Sequence, residues 1–283
     1  MLVTLTEVLI KARAGNYAVP AFDCTEDVMI RPILDICEEL KSPVILMGLD
    51  HDLKGKGFAY ISSVIRGVAP KYTIPIVLHL DHAVDFPLIE EALQYGFTSV
   101  MYDGSMLSFE ENAANTRKVA QLAKNRGVSV EAELGHVAGN ELDGSSAGEM
   151  LLTEADEVER FVAQTDVDAL AVSIGTAHGV YVSTPELNIA RLQEINSLSP
   201  VPLVLHGGSG TPEDQVRDAI RHGITKLNIY ADLRIAMYAG VKMAAQRPGR
   251  IDPLPDELFR PVKDEIQKTV TEKIGLCMSA GKA

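Results

Sequence analysis

Three ionisable side chains lie within four residues of the segment LHLDHAVDF at 78–86: His79, Asp81 and His82. They follow the apolar run PIVL, which is typical of a strand buried on both faces. Imidazoles bind metals and carboxylates transfer protons, so this strand end is a candidate metal-dependent catalytic site. Because residues three apart face opposite sides of a regular strand, only one histidine is expected to take part. We expect His82, where the strand gives way to a loop, to be that one, and His79 to pack in a lower layer or against a helix.

Short apolar, β-rich runs recur along the chain and alternate with amphipathic helical patterns. The runs cover 17–23, 43–48, 75–81, 99–104, 128–134, 168–175, 202–208 and 226–231. Eight strand–helix units in about 230 residues predict a single (β/α)8 barrel, with a doubly wound sheet as the alternative. No linker divides residues 1–283, so one domain is expected. Residues 252–276 predict one or two additional helices outside the barrel or against a partner subunit.

Active sites of such barrels lie at the carboxyl ends of the strands. The expected strand ends carry a set of polar residues, namely Asp23, Asp81, His82, Asp103, Glu133, His178, His206 and Asn228. Three histidines with an open fourth position are the usual ligands of a catalytic zinc ion. We therefore expect His82, His178 and His206 to bind one zinc ion. Asp103 and Glu133 would orient the imidazoles or bind a displaced metal.

Two further segments could bind and enclose a substrate. The glycine-rich turn LHGGSG (205–210) precedes an expected helix start near Thr211–Pro212, which is where such barrels often bind phosphate. Its backbone N–H groups and the Ser209 hydroxyl are the expected ligands, and Gly179 adds a second glycine beside His178. The long loop 135–150 is expected to be a mobile lid, with Glu141 as its acid–base candidate.

Composition argues against several classes of function. The net charge of −13 makes a nucleic-acid or anionic-membrane surface unexpected. The first residues lack the unbroken apolar run of a signal peptide, and no segment could span a bilayer. The three cysteines form neither a CxxC pair nor an even-numbered set, which favours free thiols in a reducing cytoplasm. The sequence therefore predicts a cytoplasmic protein that acts on small molecules.

Several motifs resemble those of a known family. The chain contains, in order, HLDHxxxF, GFTSVMYDGS, VEAELG, DALAVSIGTAHGVY, LVLHGGSG and GITKLNI. Over nearly the whole chain these resemble the class II, zinc-dependent ketose-bisphosphate aldolases, which include fructose- and tagatose-bisphosphate aldolases. The resemblance implies reversible cleavage of a ketose 1-phosphate or bisphosphate to dihydroxyacetone phosphate and an aldehyde. It also implies one catalytic zinc ion, a monovalent cation (Na⁺ or K⁺) nearby, and a homodimer or homotetramer.

The resemblance assigns roles to individual residues. It implies that Asp81 transfers the proton at the cleaved bond and that Glu141 is the second catalytic acid–base. It implies that His82, His178 and His206 bind the zinc ion, with Asp103 and Glu133 as metal-associated carboxylates. The positions that bind the phosphate and the enediolate match Gly179, Gly207, Gly208, Ser209 and Asn228.

The sequence departs from the family pattern around the expected substrate pocket. Asp23 replaces a usual Asn, Met47 and Leu49 stand where Gln and Ser are common, and Tyr230–Ala231 replaces a pair ending in Thr. These residues are specificity candidates, because the pocket loses donors for phosphate and gains a carboxylate. The same mechanism on a ketose lacking one or both phosphates is therefore an alternative. A non-catalytic barrel that supports a partner aldolase is a minor one.

A Schiff-base mechanism would require a lysine inside the barrel. Lys226 is the only lysine in the strands, and we expect it to open the eighth strand at the end far from the site. The sequence therefore argues against a covalent lysine adduct. A zinc hydrolase on the same barrel is also disfavoured, because Asn228 and Glu141 would have no clear task in it.

Overall fold

The computed structural model describes residues 1–137, 139–140, 146–147, 150–177, 179, 184–246, 249 and 251–283. Its strands are β1 (Val19–Asp23), β2 (Val44–Leu49), β3 (Ile76–Ala83), β4 (Ser99–Tyr102), β5 (Ser129–Leu134), β6 (Gly139–Asn140), β7 (Ser146–Ala147), β8 (Ala169–Val172), β9 (Leu203–Leu205) and β10 (Ile224–Ile229). Eight of them close into a parallel barrel in the order β1, β10, β9, β8, β5, β4, β3, β2. The short strands β6 and β7 pair with each other in an antiparallel arrangement. The predicted single (β/α)8 barrel is confirmed.

Helices surround the strands and connect them. They are α1 (Leu5–Gly15), α2 (Asp27–Glu39), α3 (Asp50–Leu53), α4 (Gly57–Val68), α5 (Phe86–Gln94), α6 (Phe109–Lys124), α7 (Ala155–Thr165), α8 (Ile189–Leu198), α9 (Glu213–Arg221), α10 (Ala231–Gln246) and α11 (Pro255–Cys277). The predicted additional C-terminal structure is the one helix α11, which packs against α10 and α2. Among the described residues no helix is both long enough and apolar enough to cross a bilayer.

The end of the barrel formed by the amino ends of its strands, here called the floor, is apolar. Leu5 and Leu9 of α1 are fully buried and belong to one cluster with Val19, Ile45 and Val77, which line the lower barrel. The start of α1 is fixed by a capping box in which Thr4 and Glu7 bond each other's backbone N–H groups. The helix thus closes the floor mainly with apolar side chains, beside one polar contact between Thr6 and Ser129. The opposite end of the barrel, here called the mouth, carries the candidate site residues.

Candidate functional site

The geometry of β3 brings two consecutive side chains to the mouth. The strand continues to Ala83, but its pairing with β4 shifts between Leu80 and Ala83, as in a β-bulge. His82 has φ 47°, in the left-handed region that side chains seldom adopt. This bulge turns His82 to the same side as Asp81. We expected His82 to reach the mouth because the strand would end there. This explanation was wrong: the strand continues, and the bulge inside it directs the His82 side chain to the mouth.

His82 and His206 meet across the barrel. Nε2 of His82 lies 2.7 Å from Nδ1 of His206, with the two rings nearly perpendicular at 88°. The outer nitrogen of each ring contacts a carboxylate: Nδ1 of His82 is 2.8 Å from Asp103, and Nε2 of His206 is 2.9 Å from Glu131. Carboxylates accept hydrogen bonds, so each outer nitrogen carries a hydrogen and donates. Both rings therefore direct their other nitrogen at one shared point.

This point suits a divalent metal ion. Single ligand atoms of Asp81, His82 and His206 lie within 4.8 Å of one another, and a second such group joins His82 to Asp103 and Glu133. Oε2 of Glu133 is buried without a hydrogen-bond partner. Imidazole nitrogens with carboxylates behind them are the usual surroundings of zinc in proteins. Two of the three predicted zinc ligands are thus brought together; His178, like Glu141, lies outside the described residues.

The same groups oppose one another electrostatically. Burial alone would lower the pKa of His82, but Asp81 and Asp103 raise it well above its usual range. Burial and the charge of His82 lower the pKa of His206. Burial and the neighbouring Asp103 raise the pKa of Glu133. Buried imidazoles and carboxyl groups that shift one another's pKa values in this way form a cluster whose charges a bound cation would balance.

A polar layer lies directly below these histidines. Lys226 is the third residue of β10, and its ammonium group is fully buried 2.6 Å from Glu131 and 3.3 Å from Nε2 of His79. The expectation that Lys226 opens the eighth strand at the end far from the site was wrong, because the strand begins at Ile224 and turns this side chain inward. Its Nζ is occupied by Glu131 and His79 below the histidines, which now argues against a Schiff base with a substrate at the mouth. His79 lies in this lower layer, as predicted, and also contacts Ser99 at 2.8 Å.

Sequence reasoning missed Glu131, although the signal was present. Residues two apart on a strand face the same side. The pattern that selected Glu133 therefore also selects Glu131, and the one that selected Asn228 also selects Lys226. All four point into the barrel and form two pairs of neighbours on β5 and β10.

The glycine-rich turn after β9 packs tightly and uses part of its own hydrogen-bonding capacity. Gly207 has φ 69°, and a Cβ there would lie 2.4 Å from the carbonyl oxygen of Ala177. The N–H of Gly208 donates to the backbone carbonyl oxygen of Asn228 at 3.0 Å. The Ser209 hydroxyl accepts from the N–H groups of Tyr230 and Asp232, which leaves its own hydrogen to donate. The expected phosphate cradle thus offers fewer donors than its sequence indicates. Gly179 has φ 88°, which favours glycine there, and α9 begins at Glu213.

Asn228 and Asp81 form a contact beside the paired histidines, with Asp81 Oδ2 3.9 Å from Nε2 of His82. The Asn228 amide nitrogen donates to both carboxylate oxygens of Asp81, at 3.2 and 3.3 Å. Because Asp81 can only accept while ionised, this contact fixes the orientation of the amide. The Asn228 Oδ1 atom then faces away and is buried without a partner.

The specificity candidates occupy neighbouring strand ends. Asp23 is 3% exposed, and its Oδ1 has no hydrogen-bond partner; burial and the charge of Asp81 raise its pKa well above the usual range. Met47 pairs in register with Asp23 and is buried inside the barrel, and Leu49 pairs with Asp81. Burial, then Asp52 and Asp23, raise the pKa of Tyr230 to about 12. Ala231 is the first residue of α10.

Comparisons with known proteins agree with this geometry. The chain matches the family model described as fructose-bisphosphate aldolase class II over residues 3–282. It is similar to the solved structure of the YdjI aldolase from Escherichia coli K12, with 33% identity, a TM-score of 0.89 and 100% of each chain covered. A putative fructose-1,6-biphosphate aldolase from Coccidioides immitis has 30% identity and a TM-score of 0.87, with 98% of this chain and 97% of the other covered. Fructose-bisphosphate aldolase from Campylobacter jejuni, at 24% identity, shares the fold with a TM-score of 0.84, over 100% of this chain and 97% of its own.

Proposed function

The chain belongs to the class II fructose-bisphosphate aldolase family over residues 3–282, and we propose that it is a zinc-dependent aldolase. The substrate would be a ketose 1-phosphate or ketose bisphosphate, cleaved reversibly to dihydroxyacetone phosphate and an aldehyde. The observation that carries the proposal is the pair His82 and His206, whose site-facing nitrogens lie 2.7 Å apart while carboxylates hold their outer nitrogens. His178 is proposed as the third zinc ligand.

Asp81 is proposed to begin the cleavage. Its carboxylate would take the proton of the hydroxyl on carbon 4, the bond between carbons 3 and 4 would break, and that oxygen would become the aldehyde carbonyl. The electron pair stays on carbon 3 and makes the dihydroxyacetone phosphate half negative. A bound zinc ion would supply a Lewis-acid charge that stabilises this anion. Asn228 holds the Asp81 carboxylate through both of its oxygens, and Glu141 is proposed to return a proton to carbon 3.

The turn after β9 is proposed to bind the phosphate on carbon 1. Ser209 keeps a hydroxyl hydrogen for this purpose. Gly207 and Gly208 are proposed as backbone contacts; the turn packs so closely against Ala177 and Leu227 that a Cβ at either position would not fit. Gly179 is proposed as a further contact. A monovalent cation near this turn, a homodimer or homotetramer, and a cytoplasmic location are proposed from the family resemblance.

The same mechanism on a ketose that lacks a phosphate is the second candidate. The N–H of Gly208 already donates to the backbone carbonyl oxygen of Asn228, so it is not free to bind a phosphate. The buried carboxyl group of Asp23 would also oppose a nearby anion. Both candidates require the same histidines and Asp81, so they differ in substrate and not in chemistry.

Metal removal tests the proposed chemistry. Purified protein would be treated with a chelator, and cleavage of fructose 1-phosphate and fructose 1,6-bisphosphate followed before and after Zn²⁺ is returned. We expect activity to be lost and then restored. His206→Ala should lower both the zinc content and the activity, whereas His222→Ala, at the end of α9 away from the site, should change neither. Activity that survives the chelator, or a covalent adduct trapped by borohydride, would show that the mechanism is wrong.

A further inference from the structure

Buried polar atoms without partners concentrate at the mouth. In the described part of the chain, nine buried side-chain N or O atoms have no hydrogen-bond partner, although one of them, Asp232 Oδ2, forms an ion pair with Lys273. Eight of them belong to residues at or just after the carboxyl ends of barrel strands, namely Asp23, Asp50, Asp52, Glu133, His136, Thr176, Asn228 and Asp232. Buried polar groups are costly without partners. The mouth is therefore built to receive polar groups from a ligand.

One part of the mouth offers only acceptors. Three buried oxygens without a hydrogen-bond partner lie at the carboxyl ends of the adjacent strands β2, β1 and β10. They are Oδ2 of Asp52, which follows β2, Oδ1 of Asp23 in β1 and Oδ1 of Asn228 in β10. We call these three residues the acceptor arc. The amide nitrogen of Asn228 is already used by Asp81, so the arc has no side-chain N–H group left to donate to a ligand. A phosphate group, which is negative and only accepts, would be unpaired there.

The order of strands places the arc beside the bond that is proposed to break. β2 and β1 lie between β3, which carries Asp81, and β10, which adjoins the phosphate-binding turn of β9. From Asp81, the aldehyde half of a substrate could extend past β4 or across β2 and β1. On the β4 side, Asp103 already bonds His82 and Ser105. Next to β4, on and just after β5, the unsatisfied atoms are Glu133 Oε2, which belongs to the candidate metal site, and His136 Nε2. The unsatisfied side-chain oxygens in the other direction, across β2 and β1, include those of the acceptor arc.

Neighbouring residues do not convert the arc into an anion site. Leu49, which pairs with Asp81 in register, has no side-chain donor. Arg234 lies 5.4 Å over the Tyr230 ring and is exposed, and its charge acts on Asp52, whose pKa burial raises while His51 and Arg234 oppose that rise. The charges of His82 and Lys226 also act on Asp23, but Lys226 is paired with Glu131 and His82 with Asp103. The positive charges that reach this region are thus offset by carboxyl groups.

We propose that the acceptor arc binds the hydroxyl groups of an unphosphorylated, uncharged polyhydroxy aldehyde. This inference rests on the proposed aldolase function and defines its substrate as a ketose 1-phosphate with a polyol tail. Hydroxyl hydrogens satisfy the three oxygens, whereas a terminal phosphate on the same tail meets two carboxyl groups in a largely buried site. Asp23 and Asp52 are thereby specificity-determining residues for the aldehyde end.

The synthetic direction tests the inference, because the donor stays constant and only the aldehyde changes. The zinc-loaded enzyme would be given dihydroxyacetone phosphate with D-glyceraldehyde or with D-glyceraldehyde 3-phosphate, and kcat/KM measured for each. In this reaction carbon 3 of the donor loses a proton and bonds to the aldehyde carbon, while the aldehyde oxygen receives a proton. We expect D-glyceraldehyde to be preferred by about tenfold or more.

Variants locate the cause of the preference. Asp23→Asn and Asp52→Asn should each shift the ratio toward the phosphorylated aldehyde by about tenfold, because each replaces a carboxyl group by an amide of the same shape that can donate an N–H to phosphate. Asp214→Asn, the same replacement at an exposed position of α9, should leave the ratio unchanged. The inference is overturned if the wild type prefers the phosphorylated aldehyde or if neither arc variant shifts the ratio. Condensation of neither aldehyde would instead refute the aldolase function, and the inference with it.

Discussion

At the floor of the barrel, the Glu38 carboxylate accepts hydrogen bonds from the backbone and hydroxyl of Thr73, from the N–H of Ile74 and from Lys41. At the mouth, the carboxyl group of Asp23 is buried more deeply and has an oxygen without any partner. The pKa of Glu38 is lowered to about 2 by Lys41 and Thr73, whereas burial and Asp81 raise that of Asp23. The ionised form of a carboxyl group is thus stabilised at the floor and destabilised at the mouth.

The contrast separates what holds the protein together from what it does. The floor is filled by α1 and apolar strand residues, and the carboxylate of Glu38 beside them is hydrogen-bonded through both oxygens. The mouth has most of the unsatisfied polar atoms of the described residues. Such groups cost stability unless a ligand or metal completes them. We therefore expect changes at the mouth to alter activity, and changes at the floor to alter the free energy of unfolding.

The largest expected effect is at the mouth. Asp81→Asn removes the proposed proton acceptor while keeping its shape, so kcat should fall by roughly 10²–10⁴-fold. The unfolding midpoint of the apo protein should not decrease, because an acid among other buried acids has been removed. Steady-state kinetics and urea unfolding measure the two effects. A variant with near wild-type kcat would show that another group takes the proton.

Changes in the polar layer below the histidines should alter both the free energy of unfolding and the zinc affinity. Lys226→Met leaves the Glu131 carboxylate buried without its cation, and breaking a buried pair costs about 3–5 kcal/mol of unfolding free energy. The double variant Lys226→Met with Glu131→Leu should recover much of this loss, since it buries no charge. Its zinc affinity should remain low, because His206 has lost the carboxylate on its Nε2. Failure of the second change to restore stability would contradict the ion pair.

At the floor, Leu9→Ala should destabilise without affecting catalysis. Leu9 is fully buried between α1 and the lower barrel, and truncating such a side chain costs about 2–5 kcal/mol. kcat of the folded fraction should stay within about twofold of wild type at a temperature below the transition. Ile10→Ala, on the exposed face of the same helix, is the matched control and should alter neither value. A large loss of kcat in Leu9→Ala would remove the distinction between floor and mouth.

The smallest effects concern pH and should have opposite signs at the two ends. Because the folded pKa of Glu38 is below its ordinary value of 4.5, it stabilises the protein above pH 4.5, and this contribution is lost as the pH falls toward about 2. Because the folded pKa of Asp23 is above 3.8, its ionisation destabilises the fold at higher pH, and that cost disappears below 3.8.

In metal-free protein at neutral pH, Glu38→Gln should therefore be less stable than wild type and Asp23→Asn more stable. Both differences should shrink as the pH is lowered through the stated ranges, as urea unfolding at several pH values would show. The same sign for both variants would mean that the two ends do not treat carboxyl groups differently.

Much of the fold was predictable because its signals are local. Apolar runs bounded by turn residues predicted the eight barrel strands within a few residues, and the region 252–276 corresponds to α11. The convergence of His82 with His206, and of Asp81 with Asn228, followed from their shared position at strand ends. The roles proposed for these residues, for His178 and for Glu141 stay predictions.

Other features could not follow from local patterns. Neither residue type nor spacing indicated the bulge that turns His82 inward, because its cause is the pairing between β3 and β4. The burial of Lys226 depends on where β10 begins and on Glu131 across the barrel, 95 positions earlier in the chain. Strand parity does place Lys226 and Glu131 on the inner face of the barrel, but it does not show that the two side chains meet there.

The sequence by itself determined the barrel, its family and several of the polar residues at the mouth, because alternation, turn chemistry and motif order are properties of short segments. The tertiary structure decided which of those residues are satisfied. Ser209 gives its lone pairs to the start of α10, Asn228 gives its amide hydrogens to Asp81, and Asp23 has an oxygen without a partner. Hydrogen bonds between distant strands distribute donors and acceptors in this way, and this distribution is what the pocket presents to a sugar.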